Sequence, residues 1–166
     1  MAKVLTDIGS KILVFVDSNI FTYFLLEDRR YFAHVRLFFE RINEGNLSAF
    51  INNIVFTEAL FNFVKAKIIV SENIRGSDFI RVVKSHPKVI TEVDISPVLE
   101  LFGLPNLIVL DLSSEAIKGI EEIHLRYGLL SNDAYHLLTM KHYGISDIAT
   151  NDSDFERVEW IKWGDL

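Results

Sequence analysis

The chain has 166 residues, 49% hydrophobic and 24% charged, which fits one folded domain over residues 1–166 and excludes a disordered chain. There is no cysteine, so disulfides, thiolate metal sites and cysteine nucleophiles are excluded; no apolar run approaches the ~18 residues of a membrane span, and MAKVLTDIGSK lacks the basic-then-apolar layout of a signal peptide. The net charge of −6 argues against broad non-specific nucleic-acid binding and leaves room for a local basic rim; a cytoplasmic location is the simplest expectation.

Ile12–Val16 (ILVFV) is a continuous apolar run, as expected of a strand buried on both faces. Ser18-Asn19 opens an apolar helix that Asp28-Arg29-Arg30 breaks. Phe32, Val35, Phe38, Phe39 and Ile42 recur at helical spacing, and Gly45 closes that helix. Leu47–Ile51 reads as a second strand and Phe56–Ile69 as a third helix. After a break over Ser71–Gly76, Asp78–Ser85 is helical and ends at His86-Pro87, because proline disfavours helix in the residue before it. Lys88–Val93 reads as a strand, Pro97–Phe102 as a short helix, and Leu107–Leu110 as an apolar run. Ser113 or Ser114 caps a helix through Tyr127 that Gly128 stops, and Ser131 or Asn132 caps one that ends at Gly144. Ile145–Ala149 is a strand, Thr150–Phe155 a turn and Val158–Ile161 a last strand. Strands alternating with helices predict an α/β domain with a central, mainly parallel sheet.

Five carboxylates stand where strands run out and helices begin: Asp17, Glu58, Asp133, Asp152 and Asp154. In an open parallel sheet ligands bind beyond the carboxyl ends of the strands, so these side chains are expected at one edge. Each has an ordinary reading as well. Asp17 is a good helix cap, Glu58 and Asp133 complement a helix dipole, and Asn-Asp-Ser-Asp is good turn chemistry. Taken together they predict an acidic pocket. Like charges at close range resist joint ionisation until a hard divalent cation, Mg²⁺ or Mn²⁺, fills the space between them. Such a cation activates water and stabilises charge on a phosphodiester. Setting these acids aside leaves the rest of the chain near neutral.

The ordered set VFVDSNIF, FTEAL and NDAYHLLTMKHYGISDIATNDSDF resembles a PIN domain, particularly the VapC type of toxin ribonuclease. The resemblance spans nearly the whole chain, with its most specific part in the C-terminal block. It implies a three-layer α/β/α fold and Mg²⁺- or Mn²⁺-dependent cleavage of RNA, leaving a 5′-phosphate and a 3′-hydroxyl. By motif position, Asp17, Glu58, Asp133 and Asp152 are the metal-binding quartet and Asp154 a further catalytic acid, while Asn19 and Thr150 orient a carboxylate or water. It further implies a homodimer and a small antitoxin partner. Two features depart from compact members: the acidic net charge, and the long segment Ser71–Asn106. Phe79, Val82, Val83, Val98, Leu99, Leu101 and Phe102 in that segment supply a dimer surface, a lid or ordinary core.

Two other functional classes stay open. Asp17-Ser18-Asn19 with Thr22 resembles an aspartate-based phosphohydrolase, although Asn19 replaces the second acid. A non-catalytic PIN-like RNA- or protein-binding module is the other. His136 shares a helix face with Asp133 as a metal ligand or a support for one, whereas His34, His86, His124 and His142 have no partner pattern. Trp160 and Trp163 are candidates to stack on bases or to cover core, and Arg29, Arg30, Lys65 and Lys67 to contact phosphate.

Overall fold

The structure, a computed structural model, describes residues 13–164; Ile12, the predicted first residue of the leading strand, lies outside them. Five strands form one sheet: β1 (Leu13–Val16), β2 (Ser48–Ile51), β3 (Leu107–Val109), β4 (Asp147–Ala149) and β5 (Lys162–Gly164). Their order is β3-β2-β1-β4-β5, and every pairing is parallel. Val14, Phe15 and Val16 are fully buried. The apolar run from Val14 to Val16 therefore reflects the place of β1 at the centre of the sheet, while Leu13 at its start is exposed.

The helices are α1 (Ser18–Leu25), α2 (Phe32–Asn43), α3 (Asn53–Ser71), α4 (Phe79–Ser85), α5 (Lys88–Thr91), α6 (Ser96–Phe102), α7 (Ser114–Ile117), α8 (Ile120–Tyr127) and α9 (Ser131–Tyr143). This is the three-layer α/β/α arrangement that the resemblance implies. The larger core gathers Phe15, Phe21, Phe38, Ile51, Val55 and Phe155. A smaller one joins Ile123, Tyr127 and Leu129 to Leu137 and Val158. Burying each large apolar side chain contributes about 1.5–3 kcal/mol. Helix α9 buries Ala134, His136, Leu137, Leu138, Thr139 and Met140, most of its circumference, so its polar members sit inside the molecule. Gly144 ends it in the left-handed region, with φ of 68°.

Three predicted elements differ. Residues 88–93 hold the short helix α5, not a strand. Pro87 at φ −61° and ψ −17° already sets the helical direction, and α5 lies against α3 and α4 with no strand beside it, leaving Ile90 exposed. The helix predicted from Ser113 or Ser114 to Tyr127 is broken into α7 and α8. Ser113 does cap α7, through the Ala116 amide, but Gly119 lies so close to α9 that a Cβ there would be 3.0 Å from Leu138 Cδ1. Residues 158–161 are a turn, with the Ile161 amide bonded to the Val158 carbonyl at 3.4 Å, and the last strand begins at Lys162. The segment 71–106 folds into α4, α5 and α6 along α3. Phe79, Val98 and Leu101 enter the interior, Phe102 stacks on Phe21 at 4.3 Å, and Leu99 stays exposed. Trp160 packs partly buried against both cores; the side chain of Trp163 lies outside the described set. No helix among the described residues is long and apolar enough to cross a membrane.

Candidate metal centre at the carboxyl edge of the sheet

The strand order reverses at β1, which puts a crevice between the carboxyl ends of β1 and β4. Asp17 and Thr150 are the residues that leave those ends, and the Asp17 amide bonds the Ala149 carbonyl at 3.0 Å. Asp17 caps α1 through the Ser18 amide at 2.6 Å, so the ordinary reading of this residue holds as well. Its other oxygen accepts Thr150 Oγ1 at 2.6 Å and Asn19 Nδ2 at 2.8 Å. Thr150 Oγ1 in turn accepts Asn19 Nδ2 at 3.1 Å and the Asp152 amide at 3.0 Å. Residues more than 130 positions apart thus hold one carboxylate in place. Burial pushes the Asp17 carboxyl up from its ordinary range, and the Thr150 and Ser18 hydrogen bonds pull against that.

Glu58 arrives from α3. That helix starts at Asn53, three residues before the predicted Phe56, so Glu58 lies beyond the first turn and does not serve the helix dipole. Asn132 Nδ2 donates to its Oε1 at 2.6 Å, and His136 Nε2 lies 3.4 Å from Oε2. Burial would raise the Glu58 carboxyl, but the His136 and Asn132 hydrogen bonds outweigh it and hold it low. The sequence pattern predicts Ser131 or Asn132 as the cap of α9, but Leu130 stands at the cap position and the Asn132 side-chain amide serves Glu58 instead.

Asp133, in the first turn of α9, faces Asp152. Burial first, then the Asp152 charge, pushes its carboxyl up to about 6, with Asp17 and Glu58 adding to the rise. Asp154 shares this end of the pocket, pairs with Arg157 and donates its amide to Asp152 Oδ1 at 2.8 Å. Arg157 also donates to the Gly128 carbonyl at 3.2 Å, which fixes it across the loop that precedes α9.

Ligand atoms of Asp17, Glu58 and His136 lie within 4.8 Å of one another, and so do those of Asp133, Asp152 and Asp154. The fold therefore brings all five predicted carboxylates to one edge, with Asn19 and Thr150 bonded to Asp17. Sequence reasoning missed Asn52, Asn132 and Arg157. Asn132 stands four residues before His136 on one helix, a spacing that signals a shared partner. Beside the acids, Asn151 Nδ2 donates to the Tyr23 hydroxyl at 3.2 Å, and Arg30 lies over the Tyr31 ring at 5.0 Å. Lys65 and Lys67 instead rest over Phe61 and Phe63 on α3.

The family model of the PIN domain matches residues 14–161. Ribonuclease VapC2 of Methanocaldococcus jannaschii is 35% identical over 149 residues, 90% of this chain and 91% of that protein. Ribonuclease VapC6 of the same organism is 35% identical over 150 residues, 90% and 94% of the two chains. Among solved structures, VapBC2 from Rickettsia felis bound to a DNA fragment of its promoter aligns with a TM-score of 0.52 and 16% identity, over 93% of this chain and 98% of that one. VapC20 of Mycobacterium tuberculosis, a Sarcin-Ricin loop cleaving toxin, aligns with a TM-score of 0.56 and 13% identity, over 90% and 97%. At such identities the two structures share the fold.

Proposed function

The chain belongs to the PIN domain family, and on that premise we propose that it is a metal-dependent endoribonuclease, the toxin of a toxin–antitoxin pair. One observation carries this reading: two carboxylate groups, Asp17 with Glu58 and Asp133 with Asp152 and Asp154, lie beyond the carboxyl ends of β1 and β4, near enough that the charges of Asp17 and Glu58 act on Asp133. The curated relatives named as ribonucleases support it.

The donor set fits a hard divalent cation, Mg²⁺ or Mn²⁺. It is made of carboxylates, without thiolate, and a cation relieves both the burial and the Asp152 repulsion that lift Asp133. Asn19 Oδ1 is buried beside Asp17 without a hydrogen-bond partner, a further acceptor at this edge. Asp17, Glu58, Asp133 and Asp152 would hold the cation, and Asp154 would support them. When bound, such a cation orients water and stabilises the charge that develops on the phosphodiester. The chain's own part is positional. Thr150, Asn19 and Ser18 fix both oxygens of Asp17, and Asn132 and His136 fix those of Glu58. Below about pH 6 Asp133 must shed its proton to join them.

The aspartate-based phosphohydrolase reading finds little support, because a nucleophile must reach its substrate. Asp17 is only 5% exposed, and both its oxygens are engaged by hydrogen-bond donors. RNA is the proposed substrate, and a small antitoxin the proposed partner, by analogy with the VapBC2 complex. Self-association as a homodimer belongs to the same proposal and is read by light scattering.

Cleavage of end-labelled single-stranded RNA tests the activity, with Mg²⁺, Mn²⁺ or EDTA, beside an Asp133→Asn control. Cutting that needs the cation and disappears in the variant is the expected result. A variant that cuts as fast as the wild type would exclude this site.

A further inference from the structure

His136 is fully buried, with its ring 5.5 Å from that of Phe15, and its two nitrogens face different neighbours. Nδ1 lies 3.1 Å from Asn52 Nδ2, and Nε2 faces Glu58 Oε2. The orientation of the Asn52 amide is settled by its other contacts. Its oxygen accepts the Val55 amide at 3.2 Å, capping α3, and a backbone N–H can only donate. Its nitrogen therefore faces the ring and also donates to Thr139 Oγ1 at 3.0 Å. Thr139 spends its own proton on the Tyr135 carbonyl, at 2.8 Å, and so accepts from Asn52. With the Asn52 amide donating, Nδ1 of the neutral ring must accept. The ring proton then sits on Nε2 and points at Glu58.

His136 falls within ligand range of Asp17 and Glu58, so it is also a candidate metal ligand. Coordination through Nε2 would require the ring proton to move to Nδ1, against the Asn52 amide protons. Turning Asn52 over would relieve that clash but would set its NH₂ against the Val55 N–H. The network leaves a single consistent arrangement, in which α9 grips Glu58 with two donors one turn apart, Asn132 on one oxygen and His136 on the other.

We propose that His136 is a positioning residue for Glu58 and not a metal ligand, held as the Nε2–H tautomer by the Asn52 amide that caps α3. This deepens the preceding reading, since it takes Glu58 as a metal-binding carboxylate. The capped start of α3, the interior of α9 and the aim of Glu58 are then one hydrogen-bonded unit. Outer partners of this kind typically account for ~10–100-fold in metal affinity.

Two measurements test it. Long-range ¹H–¹⁵N NMR of the intact metal-free protein reads the tautomer directly. A protonated Nε2 with an unprotonated Nδ1 is expected, unchanged when Mg²⁺ is added; a proton on Nδ1, or loss of the Nε2 proton with Mg²⁺, overturns the proposal. Calorimetric titration with Mn²⁺ then compares His136→Gln, whose amide keeps a donor towards Glu58, with His136→Ala. The alanine variant is expected to bind about tenfold more weakly and the glutamine variant to recover most of that. Equal weakening in both overturns the positioning role. If the wild type binds no Mn²⁺, the metal-site reading fails, while the tautomer measurement still decides how Glu58 is held.

Discussion

Asp133→Asn should stabilise the metal-free protein, although it removes a residue of the proposed metal site. In the folded chain burial and the Asp152 charge raise the Asp133 carboxyl from 3.8 to about 6. The ionised form is therefore less favourable folded than unfolded, by roughly 3 kcal/mol at 1.36 kcal/mol per pH unit. The group is only half-buried, and solvent screening reduces this to about 1–2 kcal/mol. An acid with a raised folded value carries no penalty below pH 3.8, where both states are protonated. The penalty grows as pH rises towards 6 and is complete above it. Asparagine resembles the protonated acid at every pH. In EDTA at about pH 7.5 the variant should melt ~2–8 °C higher than the wild type, given ~2–4 °C per kcal/mol for a domain of this size. At about pH 4.5 most of that gain should be gone. With saturating Mn²⁺ the order should reverse, because the wild type gains binding energy that the variant lacks. Differential scanning calorimetry reads all three conditions. A variant less stable than the wild type in EDTA at pH 7.5 would refute the claim that this pocket is strained without a cation.

The same shift predicts that Mn²⁺ affinity falls as pH drops through about 6, with proton release on binding; titration calorimetry in two buffers of different ionisation enthalpy checks it, and an affinity flat from about pH 8 to pH 5 contradicts it. Thr150→Val removes the donor at 2.6 Å from Asp17 and the acceptor of the Asp152 amide, which should cost ~1–3 kcal/mol in urea unfolding and weaken Mn²⁺ binding. An unchanged urea midpoint would show that these bonds are not formed. Phe155→Ala, beneath the turn that carries Asp152 and Asp154, should cost ~3–5 kcal/mol. A loss below about 1 kcal/mol in the same assay would place Phe155 outside the core.

Much of the site was legible because strand ends are written in the sequence. The run VFV followed by Asp17, and IAT followed by Asn151-Asp152, state both a buried strand and its exit, and a parallel sheet brings those exits together. Glu58 was legible as a member but not in its setting, since its place depends on where α3 begins, and Asn52 sets that start through a cap. Asn132 was misread because asparagine before a helix is usually a cap; its tertiary use on Glu58 cannot be seen without knowing that α3 and α9 are neighbours. The misread strand at 88–93 shows the opposite failure. Val89, Ile90 and Thr91 favour strand, but strand propensity records fit to a sheet surface, and this segment has no sheet beside it.

The two ends of the pocket are built differently, and this bears on what the cation would have to do. Asp17 sits on the frame itself: it leaves the central strand, bonds the end of β4 through its backbone, and has donors on both oxygens. Its position is fixed whenever the sheet is. Glu58 is held mainly across a helix pair, by Asn132 and His136 from α9, with a further hydrogen bond from Ser18. Asp133, on the same helix, is placed against Asp152 at a cost in repulsion. The residues that grip Glu58 thus flank the one whose charge is repelled by Asp152 in the turn after β4. A cation that relieves that repulsion would let α9 close on both neighbours at once. Metal binding is then expected to tighten the α3–α9 contact while leaving the β1–β4 junction unchanged, and hydrogen exchange at the amides of residues 131–136 should slow on adding Mg²⁺ while that of Asp17 does not. Equal slowing at both would mean the cation orders the whole edge and not the helix pair.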